Sequence, residues 1–137
     1  MTAMTVTRSD ERSIRAESDV VTARQAVRAW AVEMKFSLVE QTKLVTAASE
    51  LARNTLVHGG GGVMRMEMLE EPPRRGLRLV FEDRGPGIAD VEQALRDGFT
   101  TGTGLGLGLG GSRRLVDEFE LRSAPGEGTR VVTVKWK

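Results

Sequence analysis

The sequence predicts an α+β two-layer sandwich: a mixed, largely antiparallel sheet with its helices on one face. Three observations predict it. Two long stretches in the first half carry apolar residues at helical spacing. Val63–Met68, Leu77–Glu82 and Thr129–Trp136 alternate or are β-branched, as half-buried strands are. No internal repeat and no linker divides the chain, so both kinds of element share one core.

With 137 residues the chain fits one domain with a real core, and a single domain over 1–137 is expected. Charge is nearly balanced, 20 Lys+Arg against 19 Asp+Glu, so nothing points to nucleic acid or a membrane surface. Cysteine is absent, which excludes disulfides and thiolate metal sites, and one histidine, His58, cannot build a histidine-rich metal centre. No apolar run reaches the ~18 residues of a membrane span. The first ten residues lack the apolar core of a signal peptide and are expected to be loose. A soluble cytoplasmic protein is the expectation.

The elements follow in order. Glu11–Ala16 is read as a short strand around Ile14. Ser18 is placed as N-cap of a first helix with Asp19 in its first turn. Val20, Ala23, Val27, Trp30 or Ala31, and Met34 form its apolar stripe, and the helix runs to about Lys35. Arg24 and Arg28 lie off that stripe, and Trp30 belongs to the core. Ser37-Leu-Val-Glu40 is a capping box opening a second helix to about Val57. Leu44, Val45, Ala48, Leu51, Ala52 and Leu56 make its core side. Beside them runs a line that includes Glu50 and Asn54, one turn apart on one face. A carboxylate and an amide bordering an apolar stripe must be satisfied. Solvent, a local hydrogen bond or a ligand could each do so. His58 and Gly59–Gly62 end this helix.

The strands Val63–Met68 and Leu77–Glu82 form a hairpin with a long charged tip, Glu70–Gly76. The second delivers Asp83-Arg-Gly85-Pro-Gly87, a sharp turn that is either plain turn chemistry or a carboxylate aimed at a ligand donor. A short helix at about Val91–Arg96 has Asp90 as N-cap and Gly98 as its stop. Then comes Gly102-Thr-Gly104-Leu-Gly106-Leu-Gly108-Leu-Gly110-Gly111, with three leucines that an ordinary Gly/Ser linker lacks. It runs into a helix of about Leu109–Phe119. A glycine loop feeding a helix N-terminus suits a phosphate, and alone it suits a ligand-free lid equally. The strand Glu120–Ser123, the turn Ala124–Gly128 and the strand Thr129–Trp136 complete the chain.

Four features stand in a fixed order: Glu50-x-x-x-Asn54, Asp83-x-Gly85-x-Gly87, the loop Gly102–Gly111, and Gly126-x-Gly128-Thr129. Each is weak alone. As an ordered set they resemble the Bergerat ATP-binding fold shared by DNA gyrase, the Hsp90 chaperones, histidine kinases and the MutL proteins. Ser49–Asn54, Glu82–Ile88, Asp97–Thr101, Arg114–Phe119, Ala124–Thr129 and Lys135-Trp136 are similar to the small bacterial anti-sigma kinases. Among these the RsbT-type serine/threonine kinases of the stressosome are most similar, and the resemblance spans about Arg15 to Lys137.

The resemblance implies an ATP-dependent protein-serine/threonine kinase. Glu50 would be the general base for the acceptor hydroxyl. Asn54 would ligate Mg²⁺ bridging the phosphates. Asp83 would accept a hydrogen bond from the adenine 6-amino group and so select ATP over GTP. Thr129 would contact the base or its bridging water. Gly85 and Gly87 would shape the base pocket, and Gly104, Gly106 and Gly108 would cover the phosphates. The implied partners are a STAS-domain antagonist as substrate and a PP2C-type phosphatase activated by partner switching. Direct binding of a sigma factor, or a nucleotide-gated binding module without phosphotransfer, are the alternatives. The Walker lysine motif and the protein-kinase H-R-D and D-F-G motifs are absent.

Overall fold

The computed structural model describes residues 4–96 and 108–137. Five strands form one sheet in the order β1-β2-β3-β5-β4, with β1 Thr5–Ile14, β2 Gly62–Glu71, β3 Arg74–Asp83, β4 Glu118–Ser123 and β5 Thr129–Trp136. All four pairings are antiparallel, so the expected mixed character is not found among the described residues. Two long helices, α1 Glu17–Glu33 and α2 Leu38–Val57, cover one face. Two short ones, α3 Val91–Ala94 and α4 Gly108–Arg114, lie between β3 and β4 in the chain.

The core forms where the helix stripes meet the inward face of the sheet. Val27, Leu44 and Leu51 from the helices and Met34 at the end of α1 join Met64, Met66, Leu79 and Phe81 from the strands. The strand set follows from alternation: Met64 sits opposite Phe81, and Met66 opposite Leu79. Trp30 is 5 % exposed, as expected, with the Arg8 guanidinium 4.3 Å above its ring centroid.

Several boundaries differ from the sequence reading. The first strand is ten residues long and includes most of the stretch expected to be loose. Ile14 at its end is buried in the core, while the residues before it are largely exposed, so no apolar alternation marks it. Its order comes from pairing along β2, with Arg8 also bonded to Glu33 of α1 at 2.9 Å. Ser18 is not the cap of α1. The helix starts at Glu17, and the Asp19 carboxylate accepts from the Arg15 and Ala16 amides at 2.9 and 3.1 Å. By contrast, Ser37 caps α2 as expected, its hydroxyl accepting from Glu40 N.

The β2–β3 hairpin keeps its ladder to Glu71↔Arg74, leaving Pro72-Pro73 as the tip in place of a long turn. Charged cross-strand pairs such as Glu67–Arg78, at 2.7 Å, carry the extension. The helix expected over 109–119 ends at Arg114, and the strand expected from Glu120 begins at Glu118. Asp117 N donates to Val134 O, and Phe119 faces Thr133. Leu115, Val116 and Phe119 satisfy a helical spacing in sequence, but pairing with β5 wins over it. The helix after Asp90 ends at Ala94; its expected stop, Gly98, lies outside the described residues. The final strand has the expected bounds.

Candidate functional site

The site is built where the C-terminal part of α2 meets the end of β3. Glu50 and Asn54 are both half-buried on α2. Among the described residues, neither side chain makes a hydrogen bond or an ion pair. A local hydrogen bond, one of the readings open for this pair, is therefore not what holds it there. On the α1 side Glu50 borders a groove of about 470 Å³, whose rim carries Arg24, Arg28, Thr46 and Ser49.

The end of α2 is closed tightly. The Asn54 carbonyl accepts from the amides of both His58 and Gly59, at 3.0 and 3.1 Å, and Gly61 N donates to Thr55 O at 2.9 Å. The chain then enters β2 at Gly62, opposite Asp83 in register.

Asp83 is the last residue of β3. Pro86, without an N–H, cannot prolong the ladder. The Asp83 Oδ1 atom accepts from Gly85 N at 2.9 Å, an Asx turn that fixes the carboxylate. Gly87 has φ +78° and leaves no room for a Cβ against the Ala124 carbonyl. Gly128 has φ +77°, and a Cβ there would overlap the Asp83 carbonyl. The two turns are tied by Gly126 N donating to Pro86 O at 2.7 Å.

Thr129 begins β5 opposite Asp83 and Ser123. Ser123 is the residue that sequence reasoning missed. Its hydroxyl accepts from Ile88 N at 2.8 Å, reaches Gly128 O at 2.8 Å, and lies 2.9 Å from Thr129 Oγ1. One small side chain thus joins the Gly87 turn, the Gly126–Gly128 turn and the Thr129 hydroxyl. The available sequence signal was its place at the end of a strand directly before a Pro-Gly turn. Asp83, Ser123, Gly128 and Thr129 line a cavity of about 370 Å³.

The structure therefore brings Asp83, Gly85, Gly87 and Thr129 together, and sets Glu50 and Asn54 on the neighbouring helix. Gly104 and Gly106 lie outside the described residues. Gly108 is the first residue of α4, and Ser112 Oγ donates back to its carbonyl at 3.0 Å. The short helix is pressed against the end of α3: a Cβ on Gly110 would overlap the Leu95 carbonyl and lie 3.0 Å from that of Arg96.

Among the described residues no cluster of three or more His, Cys, Asp or Glu could hold a metal ion. The donor set instead fits a metal that takes most of its ligands from phosphate and water. Mg²⁺ binds in that way, and an unpaired, half-buried amide oxygen at Asn54 is a suitable hard ligand.

Comparison with known proteins agrees with this geometry. Residues 14–136 match the histidine kinase-like ATPase domain. The serine/threonine-protein kinase RsbT of Bacillus subtilis (strain 168) is 46 % identical over 123 residues, covering 90 % of this chain and 92 % of that protein. The anti-sigma F factor of Clostridium novyi (strain NT) is 31 % identical over 120 residues, 82 % of each. Among solved structures, the RsbU and RsbW domains of Rv1364c from Mycobacterium tuberculosis align with a TM-score of 0.66 at 20 % identity, which speaks to the fold alone. That alignment covers 94 % of this chain and 32 % of the other. The chain belongs to the histidine kinase-like ATPase domain family, and within it to the RsbT-type serine/threonine-protein kinases.

Proposed function

We propose that this single-domain chain transfers the γ-phosphoryl group of ATP to a serine or threonine of a STAS-domain antagonist in the cytoplasm. By partner switching it then engages and activates a PP2C-type phosphatase. The observation that carries the kinase reading is the unpaired Glu50/Asn54 pair on α2 beside the glycine-walled Asp83.

In this reading Asp83, held by the Gly85 amide, accepts from the adenine 6-amino group. Guanine carries a carbonyl at that position and would set acceptor against acceptor. Thr129, placed by Ser123, contacts the base or its bridging water. Gly85 and Gly87 let the backbone approach the base. Gly104, Gly106 and Gly108 contribute backbone N–H groups over the phosphates. Asn54 offers its amide oxygen to Mg²⁺. When bound, Mg²⁺ neutralises charge on the phosphates and orients them for in-line transfer. The acceptor segment enters along the α1–α2 groove, which opens onto Glu50. Glu50 takes the proton of the acceptor hydroxyl as its oxygen bonds to the γ-phosphorus. The bond from that phosphorus to the β–γ bridging oxygen breaks, and ADP leaves with the electron pair.

A second reading, an anti-sigma factor that binds sigma directly and phosphorylates its own antagonist, is supported by the anti-sigma F factor relatives. The test is incubation with γ-labelled ATP and candidate STAS, sigma and phosphatase proteins. Label on a STAS serine or threonine is the expected result, and co-purification of sigma would favour the second reading. ATP-dependent binding without label on any partner would contradict both and leave a nucleotide-gated binding module.

A further inference from the structure

We propose that Gly59 is a positioning residue that sets nucleotide specificity by holding the Asp83 carboxylate in place. The inference rests on the reading of Asp83 as the adenine acceptor. Gly59 lies outside the three glycine-bearing motifs, yet it leaves no room for a Cβ against that side chain. A Cβ built on it would fall 2.5 Å from Asp83 Cβ and closer still to the carboxyl group. A Cβ on Gly85, the residue whose amide donates to Asp83, would lie 2.7 Å from Gly59 Cα. Gly59 is thus packed against both the Asp83 side chain and Gly85.

The contact also joins the two ends of the site. Gly59 N donates to the carbonyl of Asn54, the residue assigned to the metal. One turn of backbone therefore carries both the metal ligand and the wall of the base pocket. Nothing wider than glycine fits that wall unless Asp83 moves, because interiors are packed without spare room. The neighbouring Gly60 differs: its φ is +72°, but a Cβ there meets nothing within 4 Å. The two positions separate a clash with Asp83 from the strain of a turn.

The experiment compares Gly59→Ala, Gly60→Ala and Asp83→Asn in the full chain, reading ATP and GTP affinity by calorimetry and stability by thermal melting. Gly59→Ala is expected to weaken ATP about tenfold or more, the size of one charge-assisted hydrogen bond, while GTP changes little. Gly60→Ala is expected to lower the melting temperature and keep the wild-type ratio of ATP to GTP affinity. In the Asp83→Asn background, Gly59→Ala should have no further effect on that ratio. A folded Gly59→Ala protein with the wild-type ratio overturns the proposal. Should Gly59→Ala not fold, the double variant Gly59→Ala/Asp83→Gly, which removes the overlapping side chain, is expected to regain the fold; failure to do so also overturns it. Should Asp83→Asn itself keep the wild-type ratio, the adenine assignment fails, a different outcome from Gly59→Ala keeping it while Asp83→Asn loses it.

Discussion

Replacing Asp83 by asparagine separates what this residue does for the fold from what it does for the ligand. The two tasks fall on different oxygens. One, Oδ1, accepts from Gly85 N at 2.9 Å within the turn. An asparagine oxygen in the same place keeps that bond, so the turn and the melting temperature should hardly change. The other oxygen becomes an NH₂ group, a donor facing the 6-amino donor of adenine. What is lost is a hydrogen bond to an ionised acceptor, worth about 1.5–3 kcal/mol. At about 1.4 kcal/mol per factor of ten, ATP affinity should fall roughly ten- to a hundredfold. GTP, which presents a carbonyl there, should bind no worse and can gain from the new donor. Isothermal titration with ATP, ADP and GTP measures each quantity. Unchanged ATP affinity in a folded variant would refute the assignment of Asp83. A large loss of stability would refute the separation of the two oxygens.

Three further outcomes are expected. Ser123→Ala removes a hydroxyl that serves Ile88 N, Gly128 O and Thr129 Oγ1; leaving partly buried groups unpaired should cost about 1–3 kcal/mol in denaturant unfolding, and ATP affinity should weaken with it. Phosphotransfer should stop in excess chelator and return with Mg²⁺; activity that persists without divalent metal contradicts the role given to Asn54. Phe81→Ala empties the middle of the sheet at a residue 2 % exposed and should cost about 3–5 kcal/mol, read as a lower denaturant midpoint with an unchanged slope.

Where the candidate residues sit was legible because their placement is set locally. Helical spacing on a helix whose cap, Ser37, is written in the sequence puts Glu50 and Asn54 on one face; the roles given to them are what the family resemblance implies. The place of Asp83 follows from a strand pattern that stops at Gly-Pro-Gly, and the role given to it from the resemblance. The less legible parts depend on contacts between distant residues. Gly59 looks like one of four interchangeable turn glycines until β3 brings Asp83 against it. Ser123 looks like an ordinary strand end until two turns converge on its hydroxyl.

The fold shows the same division. The final strand and the start of α2 carry strong local signals, and both have the expected bounds. The first strand carries only Ile14 at its end, because an edge strand that is largely exposed has almost no apolar side to display. The 115–119 segment carries a misleading one. Its apolar residues fit a helix, while Phe119 and Leu121 fit the inward face of a strand next to β5. Which period wins is decided by the partner strand, which local sequence does not contain.

The central claim is that Glu50 performs the chemistry of a kinase whose ATP is held by other residues. It is tested most directly by measuring label transfer and ATP affinity in parallel for Glu50→Ala, with a STAS-domain acceptor that the wild-type protein phosphorylates. General-base catalysis is worth about 10²- to 10⁴-fold, so transfer should fall by that factor while ATP affinity stays within about twofold. Transfer near the wild-type rate in the Glu50→Ala protein would contradict the account.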